Sequence, residues 1–158
     1  MAERRNDPVA DRRGEELVIT RVFAVPRTLL FECWSDPAHL AHWSGPRGFT
    51  VPHHSMDFRV GGKYRACLRS PDGVDHWVQG VYREIVKPAR LVFTHAWEEE
   101  HGIPGPETIV TLTFVEQDGK TTMSFRQGLF SSNASRDGHS AGWSSSFDVL
   151  AEYVATLR

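Results

Sequence analysis

The sequence predicts an α+β domain in which a curved antiparallel sheet wraps around a long C-terminal helix, with two short helices after the first strand. Three observations lead there. Residues 49–130 form strand-like runs separated by tight-turn signals, residues 135–157 carry one apolar stripe at helical spacing, and two short helical segments follow the first strand-like run. One sheet face and one helix stripe then remain to bury each other, and the simplest arrangement packs them together. At 158 residues the chain suits one domain, taken as 17–158. Ahead of it, "MAERRNDPVADRRGEE" (residues 1–16) has charge but no apolar run, and is expected to be a disordered leader.

The first strand is read over Leu17 to Val25, "LVITRVFAV". Pro26 stands where a helix begins, ahead of "RTLLFECW". Asp36 and Pro37 then make the cap and first turn of a second short helix, "PAHLAHW", which Gly45 and Pro46 must end. Three turns organise the strands that follow. "SPDG" (Ser70 to Gly73) suits a type I turn closed by a glycine, "KPAR" (Lys87 to Arg90) a tight turn, and "QDGK" (Gln117 to Lys120) a two-residue Asp-Gly hairpin. Trp143, Phe147, Leu150, Val154 and Leu157 recur at spacings of three and four and form the stripe of the last helix.

These turns set registers, and residues opposite one another across an antiparallel pair share a face. With Ser70 opposite Val74, the inner face carries Tyr64, Ala66 and Leu68 with His76, Val78, Gly80 and Tyr82, while Arg65, Arg69, Asp75, Gln79 and Arg83 face water. With Lys87 opposite Arg90, the inner face continues through Glu84 and Val86 to Leu91, Phe93, His95 and Trp97. The Asp-Gly hairpin adds Val110, Leu112, Phe114, Met123, Phe125 and Gln127.

An apolar concave wall with a few polar groups is the usual composition of a small-molecule site. The candidate ligand-binding residues are Tyr64, His76, Tyr82, Phe93, His95 and Trp97 from the middle strands, and Phe125 and Gln127 from the last hairpin. Trp43 joins them from the second short helix, and Trp143 and Phe147 from the long one. This register sets His95 opposite Tyr82, with Glu84 as a diagonal neighbour. A carboxylate beside an imidazole orients it and raises its basicity, so Tyr82, Glu84 and His95 are the candidates for any catalytic role. Binding without turnover is the simpler expectation, because a pocket does not imply a reaction.

Other features exclude functions. A net charge of −2, from 18 basic and 20 acidic side chains, offers no field to gather nucleic acid. No apolar run reaches the roughly 18 residues needed for membrane insertion. His39, His42, His53 and His54 crowd "HLAHWSGPRGFTVPHH" (His39 to His54), yet no partner stands at a metal-ligand spacing, so they read as solvated and no metal is expected. "VGGKY" (Val60 to Tyr64) lacks the spacing of a phosphate loop, its glycines suit a sharp bend, and no cofactor is expected. Cys33 and Cys67, the two cysteines, fit buried thiols in a reducing compartment, which points to the cytoplasm.

The order β, α, α, six-stranded meander, long α resembles the START-like superfamily (also SRPBCC, or birch-pollen-allergen-like), whose helix-grip fold holds a helix in an antiparallel sheet. Within it the chain is similar to bacterial relatives of the C-terminal domain of the activator of the 90-kilodalton heat-shock-protein ATPase. "SDPAHLAHWSGP" (Ser35 to Pro46), "DFRVGGKYR" (Asp57 to Arg65), "SPDG", "GVYREIVKPARLVFT" (Gly80 to Thr94) and "GWSSSFDVLAEYV" (Gly142 to Val154) carry the likeness. The resemblance implies a cavity between sheet and C-terminal helix that takes a small apolar or aromatic molecule. It also implies two alternatives: a protein-interaction module for a chaperone, or an enzyme of cyclase or lyase type.

Overall fold

A computed structural model describes residues 15–157. Seven strands form one open antiparallel sheet in the order β1-β7-β6-β5-β4-β3-β2. Most of the leader lies outside the described residues. Of its two described positions, Glu16 pairs with Arg126 on the sheet at 2.6 Å.

Strand β1 (Leu17–Phe23) alternates buried and exposed residues and pairs with β7. Helix α1 (Arg27–Ser35) starts at Pro26, whose fixed φ of −63° suits the entry. It buries Leu30, Phe31, Cys33 and Trp34. Helix α2 (Pro37–Trp43) is capped by the Asp36 carboxylate, which accepts from the Ala38 amide at 2.9 Å. The chain leaves it through Ser44 and then Gly45, at a φ of +87°. The Trp43 indole donates to the Cys33 carbonyl at 2.9 Å and locks the two short helices together.

The remaining strands are β2 (Thr50–Met56), β3 (Lys63–Arg69), β4 (Asp75–Val86), β5 (Arg90–Trp97), β6 (Thr108–Gln117) and β7 (Lys120–Gly128). Two of the three turns hold the expected register. Around Ser70 to Gly73, Leu68 pairs with His76 and Arg69 with Asp75. At the Asp118-Gly119 turn both residues take positive φ and Gln117 pairs with Lys120.

The turn between β4 and β5 differs. Val86, not Lys87, lies opposite Arg90, so the connection has one more loop residue than the tight-turn reading allowed. A bulge between Tyr82 and Glu84 then shifts the pairing again, with Glu84 opposite Val92 and Tyr82 opposite Phe93. The two slips add to a shift of two residues, which leaves the facing of β5 as expected, with Leu91, Phe93 and His95 buried, but changes their partners on β4. Between the two slips the facing is reversed. Glu84 and Val86 are exposed and Ile85 packs against the core in their place, because a one-residue slip sends a side chain through the sheet.

Gly80 pairs with Tyr64 across β3 and β4, and the phenol ring fills the space a side chain would need. A Cβ there would stand 1.9 Å from the Thr94 carbonyl oxygen and 2.5 Å from the Tyr64 ring. Side chains carry this part of the ladder: the Tyr64 hydroxyl donates to the Thr94 carbonyl at 2.7 Å, and the Val81 amide donates to Thr94 Oγ1 at 2.9 Å.

Helix α3 (Asn133–Thr156) is capped by Ser132, whose hydroxyl accepts from the Ser135 amide at 3.0 Å. Its halves differ. Phe147, Leu150 and Val154 are buried against the sheet, where Phe147 meets Phe125 edge-on with centroids 5.4 Å apart. Full burial of such a side chain stabilises the fold by about 1.5–3 kcal/mol. The earlier turns present Ala134, Ser135, Gly138 and Gly142 to the sheet's concave side, too small to reach across. Arg21 of β1 pairs with Asp148, and Arg47 with Glu152 at 2.6 Å, both in the second half. No helix among the described residues is long and apolar enough to cross a membrane. Cys33 and Cys67 are free and buried, and burial pushes the Cys33 thiol up to about 12.

Candidate functional site

The small residues of α3 leave a cavity of about 480 Å³ against the inner face of the sheet. That size falls within the range of small-molecule sites, about 300–1,000 Å³. Helices α1 and α2 contribute Trp34 and Trp43, the sheet contributes Tyr64, Tyr82 and Phe93, and α3 contributes Trp143. The aromatic wall is continuous. Trp34 stacks on Trp143 with centroids 6.0 Å apart, Tyr64 lies 5.6 Å from Tyr82, and Tyr82 lies 6.1 Å from Phe93.

His95 and Trp97 line the same space, and His76 stands at an exposed edge of it with its ring 6.4 Å from Trp97. Three expected residues lie elsewhere. Phe125, Phe147 and Gln127 are fully buried in the core and do not line the cavity, because alternation gives a side chain's direction but not its depth. Gln127 nonetheless serves the site. Its amide oxygen accepts from the Trp143 indole at 2.9 Å and its amide nitrogen donates to Thr108 at 2.8 Å, which fixes the Trp143 ring.

The Tyr82, Glu84 and His95 group is not assembled. Glu84 is on the outer face, its side chain 51% exposed and paired with Arg90 at 3.0 Å. With Tyr82 opposite Phe93, the same register sets His95 beside Gly80 instead of Tyr82. His95 is 6% exposed, and burial, aided by the neighbouring His139, depresses its imidazole to about 3. It is therefore neutral at physiological pH and far from the range of a general base. Burial likewise raises the phenols of Tyr64 and Tyr82, so both stay protonated. Among the described residues no Lys, Arg, Asp or Glu lines this cavity, and Glu99 lines a side chamber next to it.

Several wall residues were not singled out by sequence reasoning. His139 lies one turn before Trp143 on α3, so the helix period would have found it once the helix was docked. Its Nδ1 is 2.7 Å from the Ser135 carbonyl and therefore carries the proton. Its Nε2 accepts from the Trp97 indole at 3.0 Å, a bond that ties β5 to α3. A side chamber of about 100 Å³, reaching Pro106 and Ser131, shares His95, Trp97 and His139 with the main cavity. Trp34 required knowing which way α1 packs.

His54, expected to be solvated, is half-buried opposite Ala66 and lines the cavity. His39, expected in water too, holds the Tyr153 hydroxyl at 2.6 Å, while His42 stacks on that ring with centroids 4.8 Å apart. No group of three or more His, Cys, Asp or Glu side chains among the described residues could hold a metal ion. Three buried side-chain polar atoms lack a hydrogen-bond partner among the described residues: Trp34 Nε1, His54 Nδ1 and His95 Nδ1. All three belong to cavity-lining residues.

Residues 24–155 match the family described as activator of Hsp90 ATPase homolog 1-like protein. The chain belongs to this family. Its fold and the family place it in the START-like superfamily, whose members are domains of a ligand-binding type. The AHSA1 protein from Silicibacter pomeroyi superposes with a TM-score of 0.84 at 28% identity, over 91% of this chain and 100% of that one. A protein from Chromobacterium violaceum gives 0.78 at 26% identity, over 88% and 96%. A protein from Staphylococcus epidermidis shares the fold at 18% identity, with a TM-score of 0.78 over 92% and 93%. No curated protein matches the sequence.

Proposed function

We propose that this domain holds a small, uncharged, largely aromatic molecule between α3 and the concave face of the sheet, and binds it without turnover. The observation that carries this is the cavity itself: about 480 Å³, walled by tryptophan, tyrosine and phenylalanine, with no Lys, Arg, Asp or Glu among the described residues that line it. An apolar molecule gains about 25 cal/mol for each Å² it removes from water there, whereas an ion would lose its hydration with no opposite charge to replace it. The two buried free thiols suit a reducing setting, so the cytoplasm is the proposed location.

Titration with N-phenyl-1-naphthylamine, a neutral fluorescent aromatic, tests the reading. The expected result is saturable one-to-one binding that quenches tryptophan emission and is lost in Gly138→Trp, which places an indole where the cavity wall is open. Binding absent from the parent protein, or undiminished in a folded Gly138→Trp, would overturn it.

The family's name favours a second reading, contact with a Hsp90-type chaperone. A bacterial Hsp90 ATPase assay decides it, with stimulation on adding this protein as the supporting result and an unchanged rate as the opposing one.

A further inference from the structure

We infer that the molecule held in the cavity is an aromatic frame bearing a hydroxyl group, and that His95 is the residue that selects it. This rests on the ligand-binding reading above. A purely apolar cavity accepts hydrocarbon best, because a buried hydroxyl without a partner costs free energy. This cavity is not purely apolar. His95 is 94% buried by its 6% exposure, lines the wall, and has a ring nitrogen, Nδ1, with no partner among the described residues.

Unpaired buried polar atoms are scarce in folded proteins, and here Trp34 Nε1 and His54 Nδ1 join His95 Nδ1 on the residues of one cavity. Trp143 neighbours both Trp34 and His95, its ring centroid 5.7 Å from His95 and 6.0 Å from Trp34. An aromatic frame lying along Trp143 brings substituents towards both. The indole N–H of Trp34 is only a donor and requires an oxygen to accept. A neutral imidazole presents one donor and one acceptor nitrogen, and a hydroxyl satisfies whichever of the two faces it. A carbonyl meets only the donor form, and a carboxylate meets no Lys or Arg among the described lining residues. Of the other titratable wall residues, His139 has both nitrogens engaged and the Tyr64 hydroxyl is held by Thr94. His54, whose Nδ1 also lacks a partner among the described residues, is only half-buried on β2; His95 is the deeply buried imidazole left to a guest.

The test compares naphthalene with 2-naphthol, two probes with one frame, by isothermal titration of the intact protein. The expected result is that 2-naphthol binds about five- to tenfold tighter, the worth of one hydrogen bond. His95→Phe is expected to reverse the order and His95→Gln, which keeps an uncharged hydrogen-bonding group, to preserve it. Imidazole ¹⁵N resonances give a readout that does not depend on either variant folding: 2-naphthol shifts the His95 Nδ1 signal and naphthalene leaves it in place. Equal or tighter binding of naphthalene to the parent protein overturns the inference and leaves the cavity reading standing. Failure of both probes and of N-phenyl-1-naphthylamine removes the cavity reading and this inference with it.

Discussion

Replacing His95 by Phe is expected to make the protein less sensitive to acid. In the folded chain the imidazole is depressed to about 3 by burial and by His139, whose ring centroid is 5.8 Å away. In the unfolded chain it titrates near the ordinary value of about 6.5. Between those values the unfolded state holds a proton that the folded state refuses, so stability rises with pH and is lost as pH falls below about 6.5. The separation of about 3.5 units, at about 1.4 kcal/mol each, sums to about 5 kcal/mol once pH drops below 3. At pH 5 the loss from this one group is about 2 kcal/mol. Phe has a ring of similar shape and no proton to take up, so that component vanishes in the variant. Urea unfolding of both proteins at pH 7.5 and pH 5 measures it, because the carboxylates and the other histidines titrate in both and cancel in the difference. The parent protein should lose about 2 kcal/mol more than His95→Phe over this interval. Equal losses would refute the reasoning and mean that the imidazole charges without leaving its place.

Three further outcomes follow from particular contacts. Gly138→Ala should stabilise the fold by about 0.5–1 kcal/mol, seen as a rise in Tm of a few degrees, since the position is helical and its Cβ meets nothing within 4 Å. Gly80→Ala should cost about 3 kcal/mol or more in chemical denaturation, because its Cβ would stand 1.9 Å from a backbone oxygen. Glu84→Gln should leave probe affinity unchanged and shift stability by no more than about 0.5 kcal/mol, as expected for an exposed pair with Arg90; a fall in probe affinity would show that Glu84 acts on the cavity after all.

Much of the architecture was legible because local signals and long-range pattern agree. Asp118-Gly119 and the Ser70 to Gly73 turn each specify a connection, and with it the facing of Tyr64, Val78, Phe114 and Phe125. The stripe from Trp143 to Val154 similarly placed α3 on the concave side. Glu84 was misplaced because a bulge at Arg83 is a property of the assembled sheet, with no residue signature of its own in "GVYREIV". The Lys87 to Arg90 reading failed by one residue for a related reason, and the two shifts add to two residues in β5, which keeps its facing but takes His95 away from Tyr82. Depth was the other missing quantity. Phe93 and Phe125 both point inward, yet one meets the cavity and the other the packed half of α3, and only the placement of the helix separates them. Trp34, His54 and His139 needed the same information.

The division of α3 into a small-residue half and an apolar half separates two quantities that most folds entangle. The volume available to a guest is set by Ala134, Ser135, Gly138 and Gly142, while the anchoring of the helix rests on Phe147, Leu150 and Val154. A change of side chain in the first set alters what fits without opening a hole in the second. A lineage of such domains can therefore trade one guest for another by single substitutions without loosening the seat of the helix, and chains that share this backbone at low identity need not share what they carry.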